Sequence, residues 1–569
     1  MGALPTINMS QARHPHCQPK TQKVISNRKR YKLSCFQGIV CSLTLAAGWS
    51  VAMPCSLAAE KVTIRLGPFQ QSLAIADLDR FAKTGKLPPN LQIFNSILTP
   101  QIRELLNRKL QVDPAFADKF VAELVRSPAG KQLFTSLGVA IPGSTTESLQ
   151  AALNLALRQV NGLTVVNFLQ AYPEETVTVD ATKALQIAVE FNANQLQSQA
   201  LGVLLERQLL VNNTPFVPSF DPAAIAKQTV QQQTLTLQDR QRNRIIPVDI
   251  YWSQVDPQAP LVVISHGFGA NRKFFAYLAR HLASHGITVA AIEHPGSNAI
   301  AVSQASEKVN LAQLLPATEF IERPKDVSFL LNELGKLNSQ SGQFLGKFNT
   351  EKVSVIGHSL GGYTALALAG GELNLAELRK FCQTQLSLGE SPGDWLQCAA
   401  TSLKAQKLQL KDERVKSAIA FNPLVGKLFG SKGLSQINQP VLMLTGTEDV
   451  LTPTLKHQIA PFAQLRGTKY LVTAIGATHL SIIDPAYAVS TATTIVKEKR
   501  GEETNSLRQL IRGVTLAFLK QQTPEANTYQ QFLTPAYAQS LSTPQLPLRL
   551  NSDLPGSIKP WLSFVSMKK

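Results

Sequence analysis

Apolar positions change their period once along the chain, near residue 229. Before that point they recur three and four apart, as in Ile102, Leu105, Leu106 and Leu110, then Phe116, Phe120 and Leu124. That spacing puts apolar side chains on one helical face. Thr99-Pro100, Asp113-Pro114 and Ser127-Pro128 each set a capping residue before a proline suited to the first helical position. Gly85 and Gly138 fall where helices would end. Residues 60–205 therefore read as a helical accessory domain. Its apolar faces must be buried in a core of its own, and the short linker predicts docking near the mouth of the neighbouring domain. Pro215, Pro218 and Pro222 mark that linker, placed at 206–228.

From 229 the pattern becomes short apolar runs separated by helical ones. Residues 229–238 and 244–252 read as a hairpin. Fully apolar strands follow over 261–265, 288–292, 353–356, 418–421, 441–444 and 470–474. Helical patterns intervene, such as Phe275, Leu278, Ala279 and Leu282. Strands apolar on both faces, alternating with helices, predict an α/β fold with a mostly parallel, doubly wound sheet. This domain is assigned to 229–540, with 541–569 as a C-terminal tail.

The N-terminal stretch has another character. Arg28-Lys29-Arg30-Tyr31-Lys32 precedes an uncharged run from 33 to 59 whose apolar centre is too short and interrupted for a firm membrane span. Pro54 and then Ser56, Ala58 and Ala59 follow, so 1–59 reads as an export signal peptide, with an uncleaved membrane anchor as the alternative. The thirty-odd residues before the apolar centre exceed a usual basic leader, which suggests that translation starts further along. Export predicts a periplasmic or extracellular protein. Four of the six cysteines lie in that stretch. The remaining pair, Cys382 and Cys398, could form one disulfide in an oxidising compartment; two buried thiols are the alternative.

Length and charge narrow the class. A chain of 569 residues exceeds what one core usually organises. Its 44% hydrophobic and 17% charged residues argue against wholesale disorder. The formal charge of +18 includes seven basic and no acidic residues in 1–59, so the rest carries +11. That surplus suits a solvated surface and is compatible with peripheral contact to an anionic membrane. No zinc-finger spacing, RNA-binding signature or dense basic run follows residue 59, which argues against a nucleic-acid partner.

Candidate chemistry gathers in the second half. Gly357-His358-Ser359-Leu360-Gly361-Gly362 leaves one predicted strand and opens a helix. Small residues around a serine at such a junction permit a tight turn that projects the hydroxyl. A serine needs a base to become a nucleophile, and the base needs an orienting acid. Only His457 and His479 follow Ser359. His457 falls in a predicted helix over 454–462, which suggests a solvated surface position. His479 lies in a loop just past a strand and is the candidate base. Asp449, at the end of the strand over 441–444, is the candidate acid, with Glu448 as its rival. An acid one strand earlier is excluded by Asn422 in Phe421-Asn422-Pro423. The amides of Leu360 and Phe268, the latter in Ser265-His266-Gly267-Phe268-Gly269, are the candidate oxyanion donors. His266 reads as a residue that shapes this turn.

At these residues the chain resembles a known family. Ser265-His266-Gly267, Glu293-His294-Pro295-Gly296, Arg323-Pro324-Lys325-Asp326 and the serine turn resemble the platelet-activating-factor acetylhydrolase and dienelactone-hydrolase-like branch of the α/β-hydrolases over about 229–520. Residues 60–200 are similar to the uncharacterised helical domain that precedes such hydrolases in cyanobacterial proteins. The resemblance implies an α/β-hydrolase fold, a serine carboxylic-ester hydrolase and a small-molecule or lipid ester substrate. No metal or organic cofactor is implied. Asn422, where that branch can carry its acid, and a serine where dienelactone hydrolases use cysteine, are departures. Acyl transfer by the same residues, or an idle lipid-binding hydrolase fold, are the alternatives.

Overall fold

In a computed structural model the protein is described over residues 58–567, except 67–68, 90–91, 93–97, 99, 108–120, 122–127, 160–162, 212–215, 309–314, 385–389, 405–407 and 489–497. Residues 1–57 of the export segment expected over 1–59, and all but Val121 of the helix expected over 116–124, lie outside the described residues. Among the described residues no helix is long and apolar enough to cross a membrane.

Nine strands form the main sheet, in the order β12-β11-β10-β9-β8-β6-β7-β5-β4. Its centre is parallel: β6 (Leu261–Ser265) runs with β7 (Val289–Ile292) and β8 (Val353–His358). β9 (Val415–Phe421), β10 (Val441–Gly446) and β11 (Lys469–Ala474) continue it. Every residue of β6, β7, β8 and β10 is buried, because both faces are covered. Side chains alternate between faces. Leu261 and Val263 join one core with helices Glu319–Ser339 and Leu360–Leu368, while Val262 and Ile264 join the other with helices Ala276–Ser284 and Asn505–Lys520. The hairpin of β4 (Gln231–Asp239) and β5 (Arg244–Trp252) closes one edge by antiparallel pairing with β7. The fold is that of an α/β-hydrolase, as expected.

Three features depart from the pattern-based boundaries. The accessory region is helical but also holds a three-stranded sheet, β2-β1-β3, from β1 (Lys61–Leu66), β2 (Phe69–Ala74) and β3 (Thr176–Asp180). β3 pairs with β1 across more than a hundred residues, a contact that no local period reveals. This region has its own core around Leu78, Phe81, Leu149, Leu153 and Tyr172.

The second departure is the domain junction. Helix Ala181–Gln208 starts at Asp180, whose carboxylate caps the Lys183 N–H, and runs into the segment expected as linker. Leu201, Leu205 and Leu209 at its far end belong to the core of the main sheet. Further along the expected linker, Phe216 and Phe220 pack edge-on against Phe532.

Third, residues 541–569 are no mere tail. β12 (Leu548–Asn551) pairs antiparallel with β11 and completes the sheet, and Trp561 and Leu562 cover one of its cores. The strand has four residues with Arg549 in the middle, too short and too polar to read as a buried run.

Candidate active site

Ser359 sits at the junction of β8 and helix Leu360–Leu368 with φ 55° and ψ −117°. Such a conformation costs a non-glycine residue about 1–3 kcal/mol and needs surroundings that enforce it. Those surroundings admit no side chain at two flanking glycines. A Cβ on Gly357 would lie 1.9 Å from the Gly361 carbonyl oxygen, and one on Gly361 would lie 2.0 Å from that of Ser265. The turn is also pinned by backbone bonds: Ser359 N–H donates to the Phe421 carbonyl at 3.0 Å, and Leu424 N–H donates to the Ser359 carbonyl at 2.9 Å.

His479 and Asp449 meet from the ends of neighbouring strands β11 and β10. His479 Nδ1 lies 2.7 Å from Asp449 Oδ2. Asp449 is fully engaged: its Oδ1 accepts the N–H groups of Leu451 (2.9 Å) and Thr452 (2.8 Å), and its Oδ2 accepts the Thr452 hydroxyl at 2.8 Å. Glu448 faces away and pairs with Lys499 at 2.9 Å. Adjacent carboxylates are thus separated by the direction of one turn. Burial disfavours the His479 imidazolium, but the Asp449 carboxylate, with Glu498 behind it, outweighs burial and raises the imidazole pKa above its ordinary value. With Nδ1 held by the acid, Nε2 is the nitrogen available for proton transfer.

The structure brings this pair to the serine turn. His358 Nε2 donates to the His479 carbonyl at 2.9 Å, and the two rings stand 4.5 Å apart between centroids. Asn422, which ends β9, supplies a second donor to the same carbonyl at 3.1 Å and accepts the Gly446 N–H at 3.1 Å. It does so from φ 41° and complete burial. The position where a carboxylate could have stood therefore ties the base loop to β10.

The segments that carry the two candidate oxyanion amides meet at Ser359. Leu360 opens the helix after Ser359, where first-turn N–H groups have no intrahelical acceptor. Phe268 follows Gly267, whose added Cβ would lie only 3.4 Å from Ser359 Cβ. His266 is no base. Its Nε2 accepts the His294 N–H at 3.0 Å, so the proton sits on Nδ1, which donates to the Gly267 carbonyl at 2.7 Å. Burial and then Arg323 hold its pKa well below the ordinary value.

His457 is not at the surface, contrary to the helical reading of 454–462. It is fully buried in a π-helical turn, Leu455–Ile459. Nδ1 accepts the Val425 N–H at 3.2 Å, which leaves Nε2 to donate to Asp394 at 3.2 Å. The apolar side of this turn faces the core, and its one imidazole is buried with it because Asp394 satisfies it. Asp394 belongs to helix Pro392–Gln397, in the segment between β8 and β9. Burial opposes its charge, yet His457 and Lys456 hold its carboxyl below the usual range. In the same segment Cys382 and Cys398 form a disulfide with Cα atoms 5.8 Å apart. Supports that pattern reading missed are Thr452, Asn422, Arg323 and Glu498, which accepts the Leu480 N–H at 2.8 Å. Of these, Asn422 stood out as a polar residue ending an apolar run and Arg323 as part of a resembling segment; Thr452 and Glu498 carried no local signal.

Comparison with known proteins follows this division of the chain. Residues 58–180 match a family described as alpha/beta hydrolase of unknown function (DUF1400). Residues 248–322 and 331–536 match platelet-activating factor acetylhydrolase, isoform II. The chain belongs to the α/β-hydrolases, in their platelet-activating-factor-acetylhydrolase-like branch. The chain is 24% identical to the platelet-activating factor acetylhydrolase of Cavia porcellus over 289 residues, 46% of the chain and 57% of the relative. It is 35% identical to that of Canis lupus familiaris over 137 residues, 19% of the chain and 31% of the relative. The chain thus spans less than two thirds of either relative's length.

Proposed function

We propose that the protein is an exported serine carboxylic-ester hydrolase that acts on lipid or other short-acyl esters through an acyl-enzyme on Ser359. The observation that carries this is the buried Asp449–His479 pair, 2.7 Å apart, beside a serine in a strained turn. Ester substrates of the lipid class accord with the similarity to platelet-activating factor acetylhydrolases. Export accords with the basic-then-apolar segment before residue 60 and with the Cys382–Cys398 disulfide.

The proposed chemistry assigns each group a step. Ser359 Oγ attacks the ester carbonyl carbon as its proton passes to His479 Nε2. The carbonyl oxygen takes up the displaced electron pair and is met by the N–H groups of Leu360 and Phe268. Asp449 offsets the charge on the imidazolium and fixes its tautomer. Collapse of the tetrahedral species breaks the bond to the alkoxy oxygen, which leaves with the proton from His479. Water then gives its proton to His479 and attacks the acyl carbon, and the same steps reversed release the acid and restore Ser359.

The test is labelling of the purified protein by a fluorophosphonate, followed by rates on esters of graded acyl length. Labelling at Ser359 together with ester turnover, both lost in Ser359→Ala, is the expected result. A protein that neither labels nor hydrolyses any ester would overturn the reading.

A further inference from the structure

Arg323 is among the largest fully buried side chains. A buried guanidinium is costly unless its donors are satisfied, and these are spent beside the nucleophile. Nη1 donates to the His266 carbonyl at 2.8 Å, Nη2 to the Gly267 carbonyl at 3.4 Å, and Nε to Ser297 Oγ at 2.8 Å. Ser297 fixes the far side of this grip. Its hydroxyl donates to Glu319 at 2.7 Å, and its carbonyl accepts the Gly269 N–H at 3.0 Å. Burial lowers the pKa of Arg323 to about 10, which leaves it charged at neutral pH.

Peptide geometry turns this grip into a statement about the oxyanion site. The chain has no cis peptide bonds among the described residues, and a trans peptide sends its C=O and N–H to opposite sides. Two successive carbonyls, those of His266 and Gly267, converge on one guanidinium. The N–H groups that follow them, on Gly267 and Phe268, must therefore leave on the other side. Successive N–H groups turned to one side form a concavity for negative charge. Gly267 lies against Ser359, so that concavity opens where charge develops during attack.

We propose that Arg323 is the positioning residue of the oxyanion site: by holding the His266 and Gly267 carbonyls it presets the Phe268 N–H for the tetrahedral intermediate. The inference rests on Ser359 being the nucleophile. Arg323 itself touches no substrate. Lysine cannot take its place, because an ammonium has no planar fork to hold two carbonyls and a hydroxyl at once.

The experiment compares wild type, Arg323→Lys and Ser297→Ala on an ester and on its thionoester, whose sulfur is a weak hydrogen-bond acceptor. Loss of one oxyanion donor lowers kcat by about 10²–10³-fold. Misplacing one in Arg323→Lys is expected to cost at least about ten-fold in kcat, with KM within a few-fold of wild type. The preference for the ester over the thionoester should fall about as much as kcat, since only the correctly placed N–H discriminates oxygen from sulfur. Ser297→Ala should shift the same ratio less, and it carries the test if Arg323→Lys does not fold. An unchanged ratio in a folded variant overturns the proposal and leaves the Ser359 reading intact. A wild-type protein without ester turnover or labelling overturns both.

Discussion

His358 donates through Nε2 to the backbone carbonyl of His479 at 2.9 Å, although 121 positions separate them in the chain. The residue before the serine thus holds the residue that would serve as base. Its own Nδ1 is buried without a partner among the described residues, and burial, then His479, keep its pKa well down, so it acts as a neutral donor. His358→Leu keeps the bulk and removes that donor. A hydrogen bond of about 1 kcal/mol corresponds to about a five-fold fall in kcat. Steady-state rates at saturating ester would show it, and an unchanged kcat would mean that Asn422 alone suffices to hold the loop.

Ser359→Ala and His479→Ala should each lower kcat by about 10⁴–10⁶-fold, because such residues act as a unit. Asp449→Asn should cost about 10⁴-fold by leaving the wrong tautomer. Circular dichroism and melting should stay near wild type in Ser359→Ala, since alanine keeps the Cβ and loses only one hydroxyl. Comparable rates for Asp449→Asn and wild type would remove Asp449 from the mechanism.

Acidity offers a separate handle. The folded protein favours charged His479, so its contribution to stability is full below the unfolded pKa and is lost as pH rises through the raised folded value. Activity runs the opposite way, because the base must be neutral. The acid limb of kcat/KM should therefore lie above an ordinary histidine's. Glu498→Gln removes a negative charge that favours the imidazolium, so that limb should move to lower pH while the plateau stays within a few-fold. Burial, the largest influence on Glu498, raises its own pKa. A limb that does not move in Glu498→Gln would show that Asp449 alone sets the His479 titration.

His457→Ala should destabilise the fold instead of being neutral. It strips a partner from buried Asp394, a loss of about 3–5 kcal/mol for a broken buried pair. Denaturant unfolding would measure it, and the double variant His457→Ala/Asp394→Ala should recover part of the loss. A single variant as stable as wild type would mean that water replaces the imidazole.

The parallel strands were legible because they are continuous apolar runs, and the serine turn because its glycines admit no other residue. Where pairing is distant, as between β1 and β3, or a strand is short with a polar centre, as in β12, local pattern carries no signal. The same limit hid His457: a helical period tells which face is apolar, but not that Asp394 waits beneath it. Which of Glu448 and Asp449 turns inward is likewise decided by the bonds of Leu451 and Thr452, not by spacing. Arg323 was visible only as part of a resembling segment, because a charged residue in a helix reads as a solvated one until its partners are known.

Helix Ala181–Gln208 joins the accessory region to the main sheet. Its start packs on the small sheet and on helix Pro128–Ala140, and its end supplies Leu201, Leu205 and Leu209 to the main one. Gly202 comes so close to the catalytic side that an added Cβ would sit 3.0 Å from Thr447 Oγ1, two residues before Asp449. A shared element of this kind couples melting: the accessory region cannot unfold through this helix without withdrawing Leu201, Leu205 and Leu209 from the main core. Calorimetry should record one transition with matching van't Hoff and calorimetric enthalpies. Excision of the first 215 residues would leave the main sheet with an open apolar groove where Leu201, Leu205 and Leu209 sit, so a deletion meant to isolate the second half would yield an aggregating protein.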